Sequence, residues 1–311
     1  MTFPWLTFLG LAPLLGAAVL CLPLKHAARW VGMAFALITA VIGLGIGGLY
    51  LAGQTFVERA PWIPAFGAGW AVGLDGMALV MVLLTVLLVP VVLLAEWRVG
   101  GGERWSPQVF FALVLATESL SIFTFMAEDV LLFYLFFEAT LIPMYFLIGG
   151  FGGPKRAYAA VKFLLFSLAG GLIMLASVIG IYAWSVQATG APTYLLSELQ
   201  QLQIDPMLGR WLMLGFLVAF IVKAPMVPVH TWLPTATEQS TPGTSVLLVG
   251  ILDKIGTFGM IRFCLGLFPE ASTWVAPVMI GLALVSIIYG AIASIGSTDL
   301  LRLVAYTSIS H

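Results

Sequence analysis

Five ionisable side chains stand in otherwise apolar surroundings: Glu138, Lys223, His230, Lys254 and His311. Their types are those of a proton relay. A carboxyl and an amine exchange a proton when their separation changes, and an imidazole passes protons near neutral pH. Lys223, His230 and Lys254 fall in one stretch, FIVKAPMVPVHTWLPTATEQSTPGTSVLLVGILDKIGTFG, from Phe220 to Gly259. Pro225, Pro228 and Pro234 forbid a continuous helix there, and the backbone groups they free need partners in protein or cavity water. A buried lysine beside a broken helix points to transport rather than anchoring.

The elements that must hold these residues are membrane helices. The chain has 311 residues, 61% hydrophobic and 9% charged, and apolar runs recur from end to end; that composition belongs to a polytopic, all-α membrane protein. Spans are expected at Trp5–Leu22, Arg29–Ala52, Leu74–Ala95, Gln108–Met126 and Val130–Gly149. Four more are expected at Tyr158–Ser185, Arg210–Ala224, Gly243–Phe268 and Trp274–Ile295. A last one begins near Leu300 and reaches only about 18 Å by His311, less than a ~30 Å hydrocarbon core, so the chain reads as partial. No basic region precedes the first span, which favours a retained helix over a cleaved leader.

Depth selects the functional charges. Glu138 lies ~12 Å into the fifth span, Lys223 ~20 Å into the seventh and Lys254 ~16 Å into the eighth. The bland alternative is a static Glu138–Lys223 pair that only ties helices together. Asp253 adjoins Lys254, but neighbours on a helix point about 100° apart, so it is expected to be a poor partner, with its own role open. His230 stands between two readings, proton transfer and bonding of the carbonyls freed around Pro225 and Pro228; His311 is open in the same way. Glu118, mid-span among Thr117, Ser119 and Ser121, is either a second proton-path carboxyl or bonded to those hydroxyls. Lys162, Arg156 and Arg262 are expected to snorkel, and His26 to be solvated. SLAGG at Ser167–Gly171 reads as a close-packing surface.

Loop charges give orientation. Lys25, Arg29, Arg98, Arg104, Lys155, Arg156 and Arg302 share one side when the spans alternate, against Arg59 and Arg210 on the other. The N-terminus is therefore expected outside and the Lys155–Arg156 loop in the cytoplasm. The outer loop Gln54–Gly73 is expected at the interface, and Leu195–Gln203 as either a short surface helix or a polar connector. Net charge −1 argues against nucleic acid. Two distant cysteines, three histidines and no glycine-rich nucleotide fingerprint leave no expected cofactor or metal on this chain.

Four segments carry a family resemblance: FFEATLIPMYFLIGGFGG, RAYAAVKFLLFSLAGG, VKAPMVPVHTWLPTATEQSTPGTSVLLVGILDKIGTFGMIRF and STDLLRLVAYTSISH. Together, over about Leu131 to His311, they resemble the antiporter-like membrane subunits of respiratory complex I, in the M-type rather than the L-type version. The N-terminal third is similar only in hydropathy. The resemblance implies fourteen spans with two inverted five-helix repeats, divided here into residues 1–107 (helices 1–3), 108–268 (the first repeat, helices 4–8) and 269–311 (the start of the second). It also implies that Glu138 is the fifth-helix glutamate, Lys223 the seventh-helix lysine and Lys254 the central lysine. His230 would stand beside the helix break and His311 on the central polar axis. The sequence departs at Pro234-Thr235-Ala236, where the family mostly has Pro-Asp-Ala.

The expected function is proton translocation driven by quinone reduction elsewhere in a complex, in a bacterial plasma membrane. Flavin mononucleotide, iron–sulfur clusters and quinone are expected on other subunits; L-type and N-type antiporter-like subunits and lipid are the expected partners. A sodium/proton antiporter or membrane-bound hydrogenase subunit is the alternative, and a passive scaffold or quinone-site subunit a third.

Overall fold

The computed structural model describes residues 3–23, 27–99 and 105–311. Lys25, His26 and Arg104 lie outside them. Eight helices among the described residues are long and apolar enough to cross a membrane. In chain order the first helices are α1 (Trp5–Val19), α2 (Ala28–Leu51), α3 (Gly76–Ala95) and α4 (Pro107–Met126). The fifth span divides into α5 (Val130–Ala139) and α6 (Leu141–Phe151). Then come α7 (Arg156–Thr189), the single turn α8 (Leu196–Leu199), α9 (Pro206–Lys223) and α10 (Trp232–Gln239). The eighth span joins α11 (Pro242–Leu247) and α12 (Asp253–Gly259), with π-helical turns at Leu248–Leu252 and Met260–Leu265. Helices α13 (Pro269–Ile295) and α14 (Leu300–Ser310) complete the bundle.

Local chemistry explains where the helices start. Asp75, Asp129, Asp205, Thr241 and Asp299 each accept a bond from a backbone N–H of the first turn that follows. Those donors have no partner within the helix, so each cap removes an unmet polar group at a membrane entrance. Pro107, Pro206, Pro242 and Pro269 stand in first turns, where a missing N–H is harmless. Pro143 is different: it cannot bond the carbonyl of Ala139, and the fifth span breaks at Thr140, between α5 and α6.

One expectation is corrected here. The segment expected as an interfacial loop is an antiparallel hairpin, β1 (Phe56–Ile63) with β2 (Ala68–Leu74), a small two-strand addition to an otherwise helical membrane chain. Gly67 turns it at a positive φ of 68°, a conformation that suits glycine. The hairpin ties helix ends together at one face of the bundle. Glu58 accepts from Leu6 N at 2.6 Å and from Thr7 N at 3.0 Å, capping α1, and Gly69 N donates to Asp129 Oδ2 at 3.0 Å. Leu195–Gln203, open between a short surface helix and a polar connector, holds the single turn α8.

The core is aromatic around the seventh span. Phe133, Phe137, Phe216, Phe220 and Phe263 are buried and stack, tilt or meet edge-on at 4.4–6.2 Å between centroids. A Cβ on Gly259 would overlap the Phe220 ring, and one on Gly256 would crowd the Ala224 backbone. These two glycines let α12 lie close against the end of α9, and so set the spacing between Lys223 and Lys254.

Candidate functional site

Lys223 is the last residue of α9 and is 1% exposed. Its ammonium donates to Thr140 Oγ1 at 3.2 Å and lies 4.7 Å from the centre of the Phe137 ring. A buried cation needs such partners, a hydroxyl and an aromatic face. Thr140 Oγ1 itself donates to Phe137 O at 2.7 Å, which fixes the hydroxyl with a lone pair toward the lysine. The break in the fifth span thus places the group that holds the amine.

Glu138 is two residues before Thr140 and half-buried. Its Oε1 is buried without a hydrogen-bond partner, and a Cβ on Gly171 would overlap the carboxylate. The small residue in SLAGG therefore makes room for an acid as well as for a helix. Among the described residues the ion pairs join Arg59 to Glu128, Lys254 to Asp253, Arg262 to Asp75 and Arg302 to Glu238. Glu138 and Lys223 form none. No direct Glu138–Lys223 tie is present among the described residues.

Beyond Lys223 the chain is broken through Thr231 before α10 begins. The carbonyl of Val222, freed by the break, accepts from Trp232 Nε1 at 2.8 Å. Trp232 thereby takes up one of the carbonyls freed at the break. His230 is 5% exposed, its Nδ1 has no partner among the described residues, and its ring meets Tyr289 edge-on at 4.8 Å. A cavity of about 280 Å³ follows, bounded by Pro225, Met226, Lys254, Ser286, Ser308 and His311. It joins the break in the seventh span to the lysine of the eighth. His311 Nδ1 lies 2.7 Å from Thr307 O.

Several expectations change. Lys254 and Asp253 do pair, at 3.4 Å, because the flexible lysine stem folds back along the helix. Arg262 does not snorkel: its side chain is 8% exposed, pairs with Asp75 at 2.6 Å and covers the Phe258 ring at 4.9 Å. Lys162 turns inward and donates to Thr235 Oγ1 at 3.0 Å, so the threonine that replaces the family's aspartate still receives a bond. Glu118 is fully buried with neither oxygen bonded among the described residues. The hydroxyls expected to serve it do not: Thr117 donates to Leu113 O, Ser119 to Gly10 O, and Ser121 Oγ has no partner. Sequence reasoning missed Thr140; the signal was Pro143, three residues later, which marks a break beside Glu138. Among the described residues no cluster of three or more metal-ligating side chains occurs.

Comparison with known proteins adds a second line. Residues 127–311 match the family profile described as NADH:quinone oxidoreductase/Mrp antiporter, transmembrane. The NADH-quinone oxidoreductase subunit M of Mycobacterium tuberculosis is 46% identical over 99% of this chain and 63% of its own length. A chain of respiratory complex I from Thermus thermophilus superposes with TM-score 0.88 at 32% identity, over 98% of this chain and 62% of that one. A chain of the Mrp complex from Dietzia sp. gives 0.83 at 26%, over 98% of this chain and 33% of that one. This chain therefore spans a little under two thirds of the curated relative it matches.

Proposed function

The chain belongs to the NADH:quinone oxidoreductase/Mrp antiporter transmembrane family, and from that premise we propose that it is the M-type proton-translocating subunit of an NADH-quinone oxidoreductase. One observation carries the proposal: a buried amine and a half-buried carboxyl flank Thr140 at the fifth-span break, and the seventh-span break just after the lysine opens into a cavity that Lys254 and His311 also line. Lys223 takes a proton, with Glu138 as its alternative partner and Thr140 as its present one. Movement of the ammonium toward Glu138 stabilises its charge, and movement away favours release. His230 and cavity water carry the proton on to Lys254 and His311. The driving energy comes from quinone reduction on other subunits, which hold flavin mononucleotide, iron–sulfur clusters and quinone; this chain holds no redox centre. L-type and N-type antiporter-like subunits flank it in a bacterial plasma membrane, with the N-terminus outside. Residues 1–107 form a helical preface, 108–268 the first repeat and 269–311 the opening of the second.

The test is NADH-driven acidification in membrane vesicles carrying the assembled complex. Lys223→Ala and Glu138→Ala should each abolish pumping, and wild-type pumping in both would overturn the assignment. The similarity to the Mrp chain supports a second reading, a subunit of a multi-component sodium/proton antiporter. Sodium-dependent proton exchange without NADH, and purification without iron–sulfur subunits, would favour it.

A further inference from the structure

Asp253 sits beside the central lysine and is 4% exposed. Its Oδ2 accepts from Ser308 Oγ at 2.7 Å and faces Lys254 Nζ at 3.4 Å, while Oδ1 is buried with no partner among the described residues. Asp253, Lys254, Ser308 and His311 line the same 280 Å³ cavity. At about 30 Å³ per molecule that space holds several waters. A residue serving only to tie α12 to α14 through Ser308 needs neither a charge nor a second oxygen left unmet.

We propose that Asp253 is a proton-carrying group of the central cavity, forming with Lys254 an acid–base pair that stores a proton between the seventh-span break and His311. The proposal rests on the relay reading above and names a residue which that reading does not use. At rest the pair is an ammonium and a carboxylate, net charge zero. A proton arriving through cavity water forms an O–H bond on the Asp253 carboxylate, and the pair then carries one positive charge. The Lys254 ammonium, with its counter-charge neutralised, is free to leave the 3.4 Å contact. Departure of the proton breaks that O–H bond, passes it to water on the His311 side and restores the pair. No other reactant enters. The adjacent π-helical turn, Leu248–Leu252, leaves Asp253 at the first position of a new α segment. Such turns occur preferentially at functional sites because they misalign the local ladder and offer unpaired carbonyls to water.

The experiment uses the assembled complex in vesicles, with Asp253→Asn, Ser308→Ala and Lys254→Met in parallel. Two readouts are taken, initial pumping rate per NADH oxidised and the carboxyl C=O band in redox-induced infrared difference spectra. Asp253→Asn should slow pumping roughly tenfold and delete one carboxyl band. Ser308→Ala, which removes the hydrogen bond but no charge, should move that band and slow pumping less. Equal losses in Asp253→Asn and Ser308→Ala, with no band deleted, would make Asp253 a structural tie and overturn the proposal. Normal pumping in Asp253→Asn with impaired Lys254→Met would overturn it alone, and normal pumping in Lys254→Met would overturn the relay reading beneath it. Should Asp253→Asn fail to assemble, Asp253→Glu decides. It keeps the acid, so it should pump and shift the band; assembly without pumping or band shift would refute the role.

Discussion

Replacing Thr140 with valine keeps the side chain's volume and removes the only hydroxyl among the described residues that holds the Lys223 ammonium. A hydrogen bond to a charged group contributes about 1.5–3 kcal/mol. At about 1.36 kcal/mol per tenfold, the population of lysine at the Thr140 position falls by roughly ten- to a hundredfold. Phe137, 4.7 Å away, offers a weaker hold and does not replace the bond. If proton transfer requires the amine to alternate between Thr140 and Glu138, the substitution traps it on the Glu138 side. Pumping per NADH in vesicles should drop about tenfold or more, while NADH oxidation with an uncoupler present should stay near wild type. Thr140→Ser, which keeps the hydroxyl, should pump. Wild-type pumping by Thr140→Val, or equal loss in Thr140→Ser, would refute the alternation.

Two further outcomes follow from groups outside the spans. Asp75→Ala removes both the cap of α3 and the partner of Arg262; with Asp75 more than half exposed, the ion pair contributes about 1 kcal/mol or less and the cap about 1 kcal/mol. Thermal unfolding in detergent should therefore fall more for Asp75→Ala than for Asp75→Asn, which still caps. Tyr194 lies in the loop between α7 and α8, where burial first, then Asp129 and Tyr182, push its hydroxyl up to about 12 from 10.0. The folded protein keeps that proton after the unfolded chain has lost it, so stability falls as pH rises from 10 to about 12. Tyr194→Phe should remove this part of the alkaline loss in unfolding scans; an unchanged profile would contradict it.

Much of the architecture was legible because hydrocarbon imposes simple rules. Long apolar runs marked the spans, and prolines marked the seventh-span break to within a few residues. That Lys223 stands at the end of its helix, just before the prolines, was readable as well. Side-chain partnership was not. Asp75 and Arg262 are 187 residues apart, and nothing in either neighbourhood announces the pair. The hairpin was hidden because Pro61, Pro64 and the glycines of Ala68–Leu74 weaken its strand pattern. Thr140 escaped because threonine in an apolar helix ordinarily bonds its own backbone, as it also does here to Phe137. Neighbour geometry on an ideal helix misled for Asp253, since a lysine stem is long enough to curl back.

The most direct measurement is the position of ordered water in the whole protein, determined in lipid at a resolution that shows individual molecules. The relay requires a hydrogen-bonded file from Lys223 past His230 through the cavity at Pro225 to Lys254 and His311. Such a file is the predicted result. A dry, apolar gap between the two lysines, persisting in every conformation of the working complex, would contradict proton passage through this chain.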